Sequence, residues 1–150
     1  MKSVDASFLR GLLEGDPRIL GFVSTLRGER LVTTEIEYAA LLKMAEAGPK
    51  LRRKARREAV RRLRERMTVI PVDDRASRVL EGALTDGALG GSPLSNLHSL
   101  CALEASGCDV VYSLGNPRVG RGWRLKPVCL SRYNTHSRSR VTVESEDSAL

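Results

Sequence analysis

The chain has little aromatic character: Phe, Trp and Tyr make up 4% of 150 residues, with a single Trp. An aromatic platform for stacking unpaired bases is therefore not expected. Cysteine is sparse as well. Three residues, at 101, 108 and 129, form no Cys-x-x-Cys pair, which excludes a disulfide scaffold and argues against a zinc ribbon. The two histidines, His98 and His136, have no partner at ligand spacing. No apolar run approaches the roughly 18 residues that a membrane-spanning helix needs. The opening MKSVDASFLRGLLEGD reaches acidic residues too early for a secretory signal. A reduced, cytoplasmic protein without membrane attachment is expected.

What is present is an apolar fraction of 41% and a charged fraction of 29%, a globular composition. The length suits one domain that buries its own core. The formal net charge is +7, and its placement is uneven. From Lys50 to Arg66 the chain reads KLRRKARREAVRRLRER, with ten Lys or Arg against two Glu, and the remainder is close to neutral. Leu51, Ala55, Ala59, Leu63 and Met67 recur every four residues, with Val60 beside them, so the segment is predicted as a helix over about 49–67. Gly48-Pro49 supplies a break and a first-turn proline. Like charges at this density repel one another, and a polyanion relieves them while releasing counterions. Arg52, Arg53, Lys54, Arg56, Arg57, Arg61, Arg62 and Arg64 are thus candidate nucleic-acid contacts. A solvated charged face and a dock for an acidic protein remain open alternatives.

Around that helix, strand-like and helix-like stretches alternate. Strands are expected at Lys2–Asp5, Arg30–Thr34, Met67–Val72, Asp109–Ser113 and Leu125–Leu130. Helices are expected at Ala6–Leu13, Ile19–Leu26, Glu35–Ala45, Arg75–Leu84 (capped by Asp74) and from Ser92 to Ala105. This alternation predicts an α/β fold, a three-layer α/β/α sandwich around a central parallel sheet. Residues 1–130 form the domain, and 131–150 are a polar tail expected to be disordered or to order on binding, with Val141–Val143 its one strand-like stretch.

Ligands of such sheets collect beyond the carboxyl ends of the strands. Asp5, Glu35, Glu37, Asn96 and the Ser113–Asn116 stretch are all placed at that edge. Oxygen ligands without His or paired Cys suit a hard cation, Mg²⁺ or Mn²⁺, which activates water and clamps an in-line phosphoryl displacement. Simpler roles stay open beside this one. Asp5 and Asn96 could each cap a helix, and Glu37 could be an exposed helical acid. Cys101, among Leu100, Ala102 and Leu103, reads as core packing, and Trp123 as a loop aromatic closing over the core or stacking on a base.

Four stretches carry a resemblance: Val4-Asp5-Ala6-Ser7, Thr33-Thr34-Glu35-Ile36-Glu37-Tyr38-Ala39, Ile70-Pro71-Val72-Asp73-Asp74-Arg75-Ala76, and Pro93-Leu94-Ser95-Asn96 through Gly107 to Val110-Val111-Tyr112-Ser113. In this order and spacing the sequence resembles a PIN domain of the VapC toxin type. The resemblance implies a PIN-like fold over residues 1 to about 130. It also implies a Mg²⁺-dependent endoribonuclease acting on RNA, often a homodimer and often neutralised by an antitoxin. Asp5 matches the first metal-binding acid and Glu37 the second, with Glu35 two residues off the register. Asn96 stands where the family has a third Asp. Gly115 stands where it has a fourth, with Asn116 one position late and Asp109 at the wrong end of its strand. The implied site is therefore one weakly held Mg²⁺ (or Mn²⁺) on Asp5 and Glu37, helped by Asn96. A non-catalytic nucleic-acid-binding module and a protein-interaction subunit are the competing classes.

Overall fold

In a computed structural model, described for residues 1–132 apart from 86, 88 and 90, the chain alternates strands and helices as its periodicities require. The strands are β1 (Lys2–Val4), β2 (Leu31–Thr34), β3 (Met67–Ile70), β4 (Val110–Ser113) and β5 (Lys126–Cys129). The helices are α1 (Ala6–Glu14), α2 (Pro17–Leu26), α3 (Glu35–Ala47), α4 (Lys50–Arg66), α5 (Asp74–Thr85) and α6 (Leu94–Ala105), and a 3₁₀ turn covers Leu130–Arg132. All strand pairs are parallel, in the order β3-β2-β1-β4-β5. The winding reverses between β1 and β4, and that reversal fixes where a ligand cleft can open.

Alternation along the short strands sends side chains to two helical layers. Val4, Tyr112 and Val128 pack with Phe8, Leu9, Phe22 and Leu41 from α1–α3 and with Val60 from α4. Val32, Val111 and Leu125 pack with Leu100 and Leu103 of α6 on the other face. Phe8 and Phe22 meet edge to face at 6.4 Å, and Phe22 lies 4.7 Å from the Tyr112 ring. This aromatic group anchors α1, whose first residues enter the site. Polar groups inside the sheet are satisfied: Ser3 Oγ donates to Val110 O at 2.7 Å, and Thr33 Oγ1 to Val4 O at 2.9 Å. Cys101 lies in the α5–α6 core, where burial pushes its thiol up to about 11 and leaves it an unreactive packing residue. Trp123 is half-buried against the same core.

Several boundaries differ from the sequence expectation. The third strand ends at Ile70, before Pro71, because proline cannot donate to a ladder. Asp73, not Asp74, caps α5, its Oδ1 accepting the Arg75 amide at 3.1 Å; Asp74 is the first helical residue and pairs with Arg78. The apolar stripe of α4 is rotated from the one read every four residues. Leu51 is 99% exposed and Ala55 is exposed, while Val60 and Met67 are buried with Arg53 and Arg56 on the inward line. Helices α3 and α4 form a hairpin at Gly48-Pro49, where a Cβ on Gly48 would meet the Arg56 guanidinium at 2.5 Å. Only the sheet-proximal half of α4 reaches apolar core. The tail beyond Arg132, with His136 and Val141–Val143, lies outside the described residues.

Candidate active site

The cleft at the winding reversal, about 480 Å³, is lined by residues of α1, α3, α6 and β4 and of the connections before α1, before α6 and after β4. Asp5 follows β1, Glu37 stands in the first turn of α3 after β2, and Asn96 is in the first turn of α6. Gly115 and Asn116 follow β4, with Pro117 and Arg118 beyond them. The fold thus brings Asp5, Glu37, Asn96, Gly115 and Asn116 to one place, although up to 111 positions separate them in sequence.

Asp5 does two jobs. Its Oδ1 caps α1, accepting from Phe8 N at 3.0 Å and from Ser7 Oγ at 2.6 Å. Its Oδ2 has no protein partner among the described residues. Glu37 Oε2 accepts the Ala6 amide at 2.9 Å. Burial raises the Glu37 carboxyl above the ordinary range. The Ala6 bond opposes that rise, the Asp5 charge adds to it, and a hydrogen bond from Ser99 opposes it again. Ser99 is itself held by Thr34, the α3 cap, at 2.7 Å between hydroxyl oxygens. Asn96 makes no capping bond; it is an exposed residue three positions past Pro93, with its amide open to the cleft.

Two other carboxylates are committed elsewhere. Glu35 is exposed and accepts the Val72 amide at 2.9 Å, bracing the turn after β3. Asp109 pairs with the Met1 amino group at 2.8 Å at the far edge of the sheet. Among the described residues no group of three or more His, Cys, Asp or Glu is placed to hold a metal ion. What remains is two carboxylates and an amide oxygen. That donor set fits a single hard cation that keeps most of its water, held weakly.

Sequence reasoning passed over three residues here. Ser7 accepts the Leu114 amide at 2.9 Å and lies 3.1 Å from Ser113 Oγ, tying Asp5 to the β4 loop. Ser99, 62 positions further on, helps to hold the Glu37 carboxyl down against the rise that burial causes. Arg118, two residues past Asn116, is an exposed cation on the cleft wall. Counting on through the loop after Gly115 would have exposed Arg118, whereas the two serines carry no local signal.

The basic helix lines none of this cleft. Its charges are largely engaged within the protein. Arg56 donates to Ala45 O at 2.8 Å and to Pro49 O at 3.2 Å, closing the end of α3. Arg57 bonds both carboxylate oxygens of Glu46, with Arg53 3.7 Å from the same group. Arg61 pairs with Glu58 and Glu65, and Arg62 lies 3.9 Å from Glu58. Arg64 donates to Met67 O at 3.3 Å and stacks over Tyr38. Of these eight cations, Arg52 and Lys54 alone have a side chain in no hydrogen bond or close ion pair among the described residues, and Lys54 still adds to the positive field that lowers the Glu58 carboxyl.

A five-stranded parallel sheet in this order, between two helical layers with six helices, is a PIN-like fold. It is similar to the DNA-bound VapBC structure of Salmonella typhimurium, with TM-score 0.67 and 18% identity over 84% of this chain and 96% of that one. FitAcB of Neisseria gonorrhoeae also gives 0.67, at 11% identity over 78% and 89%. VapBC-5 of Mycobacterium tuberculosis, described as a toxin-antitoxin system, gives 0.60 at 19% over 85% and 97%. No family model and no curated protein matches the sequence. At these identities the likeness establishes the fold. Among the described residues no helix is long and apolar enough to cross a membrane.

Proposed function

We propose that the protein is a VapC-like endoribonuclease of reduced metal affinity. The supporting observation is the convergence of Asp5, Glu37 and Asn96 on one cleft at the winding reversal. Asp5 Oδ2, the Glu37 carboxylate and the Asn96 amide oxygen would hold one Mg²⁺ or Mn²⁺. When bound, that ion supplies water activation and charge neutralisation at a phosphodiester. The chain's own residues do the rest. Ser7 and the Phe8 amide hold Asp5 in one rotamer, and the Ala6 amide and Ser99 orient Glu37. The raised Glu37 carboxyl must shed its proton to ligate, so activity should rise with pH through its titration. Arg52 and Lys54 offer RNA two exposed cations on the basic helix that make no close ion pair among the described residues. The solved neighbours are toxin-antitoxin complexes, which supports a small antitoxin-like partner; a homodimer is the assembly expected with it.

A second reading has its own support. Asn96 and Gly115 remove two negative charges from the acidic positions that the resemblance implies, leaving a fold that binds RNA without cutting it. Cleavage of a labelled structured RNA in Mg²⁺, Mn²⁺ and EDTA separates the two, with Asp5→Asn as control. Asparagine keeps the oxygen that caps α1, so the variant should fold. Metal-dependent cleavage lost in Asp5→Asn supports the nuclease. Binding without cleavage in either metal supports the binding module.

A further inference from the structure

Among the described residues lining the cleft, Arg118 is the single cation, and Asp5 and Glu37 line the same cleft. It forms no ion pair with either acid and no hydrogen bond to any described residue. An arginine in an acidic cleft that leaves both carboxylates unpaired has its whole donor fork free for an incoming anion. Its loop is held. Leu114 N donates to Ser7 Oγ and Gly115 N to Ser113 Oγ, each at 2.9 Å, and Pro117 fixes the backbone just before it. Ser7 in turn donates to Asp5 Oδ1 at 2.6 Å, so hydrogen bonds join the loop to the acid.

The charge pattern gives the chemistry. Two carboxylates alone repel a polyanion. A guanidinium lining the same cleft offsets one of them and offers the planar, bidentate geometry that phosphate oxygens match. Gly115 contributes no charge where the resemblance has an acid, and Asn96 and Asn116 supply neutral donors beside it. We propose that Arg118 binds a backbone phosphodiester of RNA in this cleft directly, without a divalent cation. The proposal rests on the reading of the cleft as an RNA site, but it does not need cleavage.

The test is anisotropy of the same labelled RNA in EDTA, with the full chain, Arg118→Ala and Arg118→Lys. Arg118 is exposed, so neither variant should lose its fold, and a thermal melt checks this. The parent should bind in EDTA, and Arg118→Ala should weaken it roughly tenfold, the scale of one charge-assisted contact. The slope of log affinity against log salt should shrink by about one. Arg118→Lys should recover part of the affinity, since it keeps the charge and loses the fork. Unchanged affinity in Arg118→Ala, or a parent that binds only with Mg²⁺, overturns the proposal. A parent that cleaves while Arg118→Ala binds normally defeats this proposal alone. A parent that never cleaves but loses affinity with Arg118 defeats the nuclease reading alone.

Discussion

Glu37 Oε2 accepts the Ala6 amide at 2.9 Å, so an acid at the head of α3 helps to close the first turn of α1. Asp5 caps that same turn from the other side through the Phe8 amide. The two carboxylates are therefore fixed by one helix end, whose partial positive charge lets them sit close together. Each keeps a structural bond while facing the cleft. Capping and ligand-binding readings of these residues, alternatives in the sequence, are compatible in the folded chain.

Replacement Glu37→Gln should stabilise the empty protein at neutral pH. The folded state raises this carboxyl chiefly by burial, so it holds a proton over a range where the unfolded chain has lost it. Stability then falls as pH rises through that range and is regained below it. Glutamine removes the titration and keeps an oxygen for the Ala6 amide. Melting temperatures from about pH 4 to 8 should show the variant above the parent at high pH, with the gap closing as pH drops through the ordinary Glu range. Mg²⁺ should raise the parent's melting temperature more than the variant's.

Restoring acids should restore metal affinity. A Cβ at Gly115 would meet Ser113 Oγ at 3.5 Å, an ordinary contact, and Asn96 is exposed, so Gly115→Asp and Asn96→Asp both fit. The double variant should bind Mn²⁺ at least about tenfold more tightly in calorimetry, given what even outlying changes do to metal sites. Cleavage should rise with it. Equal affinity in parent and double variant would place the metal elsewhere.

The arginines of α4 should divide into two classes. Arg56→Ala removes two hydrogen bonds to the end of α3 and should cost about 1–2 kcal/mol of stability, read as a lower denaturation midpoint. Arg52→Ser with Lys54→Ser should leave stability within about 0.5 kcal/mol and weaken RNA binding, with a shallower salt dependence. If the two sets behaved alike, the distinction between engaged and free cations would fail.

Much of the architecture was legible because its signals are local. The β-branched run at Arg30–Thr34 and the compact Val110-Val111-Tyr112 segment mark strands by composition. The α4 boundaries follow from Gly48-Pro49 and a continuous charged run. The apolar stripe of α4 departs from the four-residue repeat for a physical reason: Leu51 and Ala55 fit that repeat, but the hairpin tip has no apolar layer to receive them. Asp73 displaced Asp74 as the α5 cap because both carry a suitable oxygen, and only the backbone path chooses between neighbours.

The sequence by itself determined the order of strands and helices, the parallel class, and the gathering of Asp5, Glu37 and Asn96 at one edge. Periodicity, turn residues and strand-end positions are properties of short segments and survive without tertiary detail. Only the tertiary structure decided which charges are free. Arg56 is bound to carbonyls 11 and seven positions away, Glu35 to the turn after β3, and Arg118 to nothing among the described residues. A charge is available to a ligand when no nearer partner claims it, and that competition is settled by contacts between segments far apart in the chain.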